Sequence, residues 1–165
     1  MDATASERFS LRPIQDGDRE FLFRLYASTR AEELAVVAWT GAQKEAFLRQ
    51  QFEAQHAYWT EHYGGATFDL VLVDGKPAGR LYVARWPNEV RIVDISLMPE
   101  HRGSGLGTRL LERVFAEGDA ARKPVSIHVE SYNPAKRLYD RLGFVQVGDH
   151  GVYLLMKRPV SQPVG

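Results

Sequence analysis

Residues 94–108 read Asp94-Ile-Ser-Leu-Met-Pro-Glu-His-Arg-Gly-Ser-Gly-Leu-Gly-Thr108. An apolar run from Val90 to Met98 reads as a strand and stops at Pro99. Glycines follow at 103, 105 and 107, and Leu106, Leu110, Leu111, Val114 and Phe115 then recur at the spacing of an amphipathic helix. A strand therefore passes through a glycine-rich loop straight into a helix. The first N–H groups of a helix lack internal partners and lie at its positive dipole end. Glycines let the backbone come close to a ligand and aim several amides at one point, a design suited to phosphate or pyrophosphate. Arg102 adds a cation at the mouth. The loop is not a Walker loop, because Gly-Leu-Gly-Thr carries no lysine. It is not a dinucleotide fingerprint either: the glycine spacing differs, and the strands before it are joined as hairpins rather than by a crossover helix. Taken alone, the loop also fits a helix entry that uses glycine only for a tight turn.

Upstream of this stretch, Phe68–Val73 and Ala78–Arg85 read as strands around the hairpin turn Asp74-Gly75. Pro87-Asn88 makes a second turn, so Val90–Met98 is the third consecutive antiparallel strand. Nearer the N-terminus, Phe9, Leu11 and Ile14 suggest a short strand that fades at Pro13, and Asp16-Gly17-Asp18 turns the chain into a helix marked by Phe21, Leu22, Leu25 and Tyr26. Arg30–Thr40 has no clear period. A second helix is expected from Ala42 to Tyr63, stopped by Gly64-Gly65. Downstream, Val125–Val129 is a short strand. Asn133 caps a further helix with Pro134 in its first turn, Gly143 ends it, and Phe144–Val147 and Val152–Met156 form a last strand pair. The order β-α-α-β-β-β-α-β-α-β-β is an α/β domain with a mixed sheet. Its 165 residues make one domain, 1–165, with Met1–Arg8 and Pro159–Gly165 expected as loose tails.

Composition excludes several classes. The 21 basic and 21 acidic residues cancel, so no overall field points to nucleic acid or an anionic membrane. The chain has no cysteine, which removes disulfides, thiolate-bound zinc and a cysteine nucleophile. His56, His62, His101 and His150 show no metal spacing, and no metal is expected. No apolar run approaches the roughly 20 residues of a membrane span. The polar N-terminus lacks the apolar stretch of a signal peptide, and a cytoplasmic protein is expected.

Two segments carry a family resemblance. Arg102-x-x-Gly105-x-Gly107 after an apolar strand resembles the acyl-CoA signature of the GCN5-related N-acetyltransferases (GNAT). Asn133-Pro-Ala-Lys-Arg-Leu-Tyr139-Asp-Arg-Leu-Gly143-Phe144 is similar to that family's Asn-x-x-Ala-x-x-x-Tyr-x-x-x-Gly-Phe run. The likeness covers about residues 66 to 158 and is strongest from 90 to 147. It implies a mixed, mostly antiparallel sheet flanked by helices, with a V-shaped splay between the fourth and fifth strands that takes acyl-CoA. It further implies pantetheine pairing along Leu97 and Met98, where family members often have a bulge that frees an amide for the thioester carbonyl. Pyrophosphate would rest on Arg102, Gly103, Ser104, Gly105, Leu106, Gly107 and Thr108. Asn133 would contact the pantetheine arm, and Tyr139 would hold or protonate the departing thiolate.

The general base is not selected by a motif. Asp94 is an acid in an otherwise apolar strand, Glu130 ends the next strand, and Glu89 begins the first. Each is a candidate, and each has an ordinary capping or surface role as its alternative. His128 alternates onto the face of Glu130, as a packed histidine or part of a water chain. The acceptor side is expected around Tyr26, Arg30, Glu32, Glu33 and Trp39, with the aromatics His56, Tyr58, Trp59, His62 and Tyr63 either lining a pocket or packing as core. The resulting expectation is an acetyl-CoA-dependent N-acetyltransferase acting on a primary amine by direct transfer in a ternary complex. Its rival is a non-catalytic acyl-CoA-binding regulatory module. The acceptor and acyl-chain length are open, and homodimers are common in families of this kind.

Overall fold

The computed structural model describes residues 8–161. Along the chain run β1 (Phe9–Pro13), α1 (Arg19–Ala35), α2 (Gly41–His62), β2 (Thr67–Val73), β3 (Lys76–Arg85), β4 (Val90–Leu97), α3 (Leu106–Ala121), β5 (Val125–Glu130), α4 (Lys136–Arg141), β6 (Val145–His150) and β7 (Tyr153–Arg158). The strands form one seven-stranded sheet in the order β1-β2-β3-β4-β5-β7-β6. Only the β4–β5 pair is parallel, as a connection through α3 requires.

Local chemistry sets most boundaries. Asp74 and Gly75 both take positive φ, +53° and +79°, the pair of left-handed residues that a tight hairpin turn needs. Thr40 caps α2: its hydroxyl accepts the Gln43 N–H, while the Gln43 side chain accepts the Thr40 N–H. The segment without a clear period turns out to extend α1 to Ala35. Leu34 is buried there, and Arg30 pairs with Glu33 one turn on at 2.9 Å. α4 is shorter than expected. The Asn133 side chain accepts the Ala135 N–H at 2.8 Å and closes a turn, so regular helix begins only at Lys136. β7 inserts between β5 and β6 because Leu154 and Met156 go to the core, whereas Val145 and Val147 of β6 remain exposed.

The sheet carries two cores. On one face Leu106, Leu110, Leu111, Val114 and Phe115 of α3 pack against Leu81, Val83, Val90, Ile92, Val125, Ile127 and Met156. On the other, Leu22, Phe23 and Tyr26 of α1 and Leu48 and Phe52 of α2 pack on Leu70. Of the residues expected as tails, Arg8 pairs with Asp74 at 3.2 Å and the Ser161 N–H donates to Asp119 at 2.9 Å. Residues 1–7 and 162–165 lie outside the described part. No helix among the described residues is long and apolar enough to cross a membrane.

The feature that positions the site is an interruption. β4 and β5 pair only at Val90–Val125, Arg91–Ser126 and Ile92–Ile127, and then diverge. At the divergence β4 is bulged: Tyr82 faces Asp94 and Val83 faces Ile92, so Val93 has no residue opposite it on β3. The bulge was expected at Leu97–Met98. It lies several residues earlier, because Gly79 pairs with Leu97 and the Met98 N–H remains bonded to the Ala78 carbonyl at 2.8 Å.

Candidate active site

The loop between β4 and α3 begins with one turn of 3-10 helix, Pro99–His101. Gly103 and Gly105 then take φ of +73° and +87°, values that a side chain opposes. Gly105 is the N-cap of α3, no side chain caps this helix end, and its first turn holds no acid. Ser104 is turned away, its hydroxyl donating to the His101 carbonyl at 2.8 Å. A Cβ at Gly103 would meet nothing within 4 Å, so the backbone of the loop faces open space. Amides at a dipole end with no anionic side chain before them fit an anionic group such as pyrophosphate. Arg102 lies at this mouth, donating to the Leu97 carbonyl at 2.9 Å and to the Ser28 hydroxyl at 3.2 Å.

The diverging strands open a cleft of about 700 Å³. Its walls are Val93, Asp94 and Ile95 of β4, Ile127–Glu130 of β5, Gln55, Tyr58 and Trp59 of α2, and Tyr63 just past the end of that helix. Asn133, Tyr139, His150 and Tyr153 complete it. Four sequence-derived candidates, Asp94, Glu130, Asn133 and Tyr139, thus meet in one space, while residues 102–108 lie outside the cleft lining, on the loop leading from β4 into α3. Tyr139 is 6% exposed, with its ring 5.5 Å from Phe144. Burial, reinforced by the charge of Asp94, pushes its pKa far above the usual tyrosine value, so it stays a phenol across the physiological range.

The acids divide by their partners. Asp94 accepts Arg80 Nε at 2.6 Å and the Ser96 hydroxyl at 2.7 Å. Arg80 is 3% exposed, its guanidinium 5.0 Å from the Trp59 ring and 5.1 Å from Tyr82, and it donates to the Gln55 side chain at 3.1 Å. One buried cation therefore ties α2 to the bulged strand through Asp94. Glu89 does not line the cleft. Burial pushes its pKa up, but the Ser126 hydroxyl, Arg91 and Lys157 more than reverse that and hold the carboxyl below its usual range. Glu130 has no cationic partner among the described residues, and the Tyr132 hydroxyl donates to it.

Sequence reasoning missed Arg80 and Arg91. The signal was available, since both interrupt apolar strands as Asp94 does. The residues expected around the acceptor fall into two groups. Arg30 is bonded to the Tyr26 hydroxyl and Glu33, Trp39 packs on Phe47, and none of these lines the cleft. Of the aromatics expected either to line a pocket or to pack as core, Tyr58, Trp59 and Tyr63 line the cleft. No group of three or more potential metal-ligating side chains occurs among the described residues.

Comparison with curated proteins finds no match. Solved structures share the fold. A PaiA N-acetyltransferase from Thermoplasma acidophilum, in complex with coenzyme A, superposes with a TM-score of 0.69 over 92% of this chain and 98% of its own, at 16% identity. An acetyltransferase from Thermus thermophilus gives 0.66 over 92% and 97%, at 23% identity. The PH1933 protein from Pyrococcus horikoshii OT3 gives 0.69 over 93% and 99%, at 18% identity. The family model described as the acetyltransferase (GNAT) family matches residues 28–144. That span runs from α1 through α4 and takes in the glycine loop, both diverging strands and Tyr139, so the chain belongs to the GNAT acetyltransferase family.

Proposed function

We propose that the protein transfers an acetyl group from acetyl-CoA to a primary amine by direct attack in a ternary complex. The observation that carries this is the cleft between β4 and β5, with a buried phenol and a carboxylate free of any cation in its lining and the glycine loop following from the end of β4. The amides of residues 102–108 and the Arg102 guanidinium hold the pyrophosphate. The backbone at Leu97 and Met98 and the Asn133 side chain hold the pantetheine arm. The bulge at Val93 supplies an N–H for the thioester oxygen. Bound acetyl-CoA supplies an acyl group activated as a thioester. Tyr139 donates its proton to the sulfur as that atom becomes anionic, and its raised pKa keeps the proton in place until then.

An amine arrives protonated near neutral pH and must lose a proton before it attacks. Glu130 takes that proton, because it lines the cleft without a competing cation. Asp94, already bonded to Arg80 and Ser96, anchors the bulge and α2. Initial rates measured while varying acetyl-CoA and an amine together test direct transfer. Intersecting double-reciprocal lines are expected, and parallel lines, the mark of an acetylated enzyme, overturn it.

A further inference from the structure

The sheet beneath the cleft contains charged groups that the reaction above does not use. Arg91 of β4 is 7% exposed and Ser126 of β5 is fully buried. Arg91 Nε donates to the Ser126 hydroxyl at 2.7 Å and one terminal nitrogen donates to Glu89 at 3.4 Å. The other terminal nitrogen lies 3.2 Å from His128 Nδ1. Ser126 is also hydrogen-bonded to Glu89, and Lys157 of β7 pairs with Glu89 at 3.5 Å. The guanidinium sits 4.9 Å from the Trp86 ring. Burying such groups is costly unless all are satisfied. Of this chain only His128 reaches the cleft lining.

An arginine has donors and no acceptor, so the contact at Nδ1 requires a lone pair there. The single proton of the neutral ring is then on Nε2, on the side away from Arg91. A doubly protonated ring would set N–H against N–H. Burial, the Arg91 charge and His150 all hold the His128 pKa below its usual value, against a smaller pull from Glu89. His128 is thus fixed as a neutral donor with its N–H outward.

Strand register places Glu130 beside it. His128 faces Leu155, while Glu130 faces Tyr153, which in turn faces His150. Residues two apart on a strand share a face and lie about 7 Å apart. A neutral N–H donor and a carboxylate without a cation therefore flank each other, beneath the rings of Tyr58, Trp59 and Tyr63 and beside Tyr153. No lysine or arginine lines the cleft.

From this juxtaposition we propose that the acceptor is a primary amine that also bears an uncharged hydrogen-bond-accepting oxygen, the amine held by Glu130 and the oxygen by His128 Nε2–H. The inference rests on the acetyltransferase reading and adds the acceptor's chemical class. Amino-acid amides, amino alcohols and amino sugars have this chemistry. A free amino acid does not: its carboxylate would stand near Glu130 and Asp94 with no cation in the lining to meet it. An amine without the oxygen leaves the His128 donor unpaired, which a built site penalises.

Phenylalaninamide, phenethylamine and phenylalanine form a matched set for the test, with acetyl-CoA saturating. The expected kcat/KM for the amide exceeds that for phenethylamine by about tenfold or more, and that for phenylalanine by about a hundredfold or more. His128→Phe should bring the amide-to-phenethylamine ratio to within about threefold of unity, and His128→Gln, which keeps a side-chain donor, should restore part of it. Nitrogen NMR of the imidazole near neutral pH should report the neutral ring with the proton on Nε2. A wild-type ratio near unity, a ratio unmoved by His128→Phe, or a proton on Nδ1 overturns the inference while leaving acetyl transfer intact. No acetylation of any of the three, with acetylation of other primary amines, overturns the inference alone; acetyl-CoA binding with no acetylation of any primary amine offered overturns the acetyltransferase reading and this inference with it.

Discussion

Replacing Tyr139 by phenylalanine removes one hydroxyl and keeps the ring on Phe144. The Tyr139 hydroxyl makes no hydrogen bond to protein among the described residues, so its loss should change stability by about 1 kcal/mol or less. For a chain of this size that shifts Tm by no more than about 4 °C. Turnover should respond differently. A thiolate is a good leaving group and needs modest help, so kcat should fall roughly 10- to 1000-fold, around the usual contribution of a positioned acid. Acetyl-CoA affinity, which the proposed function assigns to the loop and the β4 backbone, should hold within about twofold, or about 0.4 kcal/mol. The pH dependence has a definite sign. Burial raises the Tyr139 pKa above its unfolded value, so its contribution to stability is complete below about pH 10 and is lost as pH rises beyond that. Tyr139→Phe should lose that alkaline destabilisation. Steady-state kinetics, calorimetry and thermal melts together separate the cases. Wild-type kcat in a folded Tyr139→Phe protein removes Tyr139 from the mechanism, leaving the bulge amide and proximity as the main catalytic terms.

Gly105→Val places a β-branched side chain at φ +87° in the N-cap of α3, and should weaken acetyl-CoA binding more than about tenfold, over about 1.4 kcal/mol, by calorimetry. Unchanged affinity in the folded variant would move the pyrophosphate elsewhere. Glu130→Gln should lower kcat by about a hundredfold or more, whereas Asp94→Asn should cost stability, by about 3 kcal/mol at most because the buried Arg80 loses its counterion, with a kcat loss under about tenfold. The reverse pattern, measured below both melting temperatures, would make Asp94 the base. Arg12, bonded to Asp18 at 2.8 Å, holds that carboxyl below its usual range against the cost of burial, so its stabilising effect is present above about pH 4 and lost as pH falls. Asp18→Asn should flatten the acid limb of Tm against pH, and an unchanged limb would assign acid unfolding to other carboxylates.

How far the fold could be read from the chain depended on whether the signal was local. Asp74-Gly75 specifies its hairpin because two adjacent residues must take positive φ. The glycine loop and the stripe from Leu106 to Phe115 specify α3 by turn chemistry and period. The same holds for Thr40 and Gln43 at the start of α2. Features set by pairing between distant strands were not legible. The bulge at Val93 exists only in the register of β3 against β4, and no property of Val93 marks it. The commitment of Asp94 to Arg80 links residues 14 apart in sequence and includes Gln55 from a third element. α1 was cut short in the reading because Arg30–Ala35 presents mostly charge, with Leu34 alone turned inward. At the site, Tyr139 and Asn133 were legible through their spacing in one segment. The place of Tyr58, Trp59 and Tyr63 in the cleft lining was not, since they serve equally well as helix core until the strands beneath them are seen to part.

Direct acetyl transfer from acetyl-CoA to an amine leaves a balance between two products that can be measured. Acetyl-CoA labelled in the acetyl group, incubated with the protein and a panel of primary amines, tests it by mass spectrometry of both small molecules and protein. Direct transfer puts labelled acetyl on the nitrogen of an amine in amounts equal to the free CoA released, and none on the protein. Tight acetyl-CoA binding with no CoA released across the panel, or label found on the protein chain as an intermediate, would contradict it.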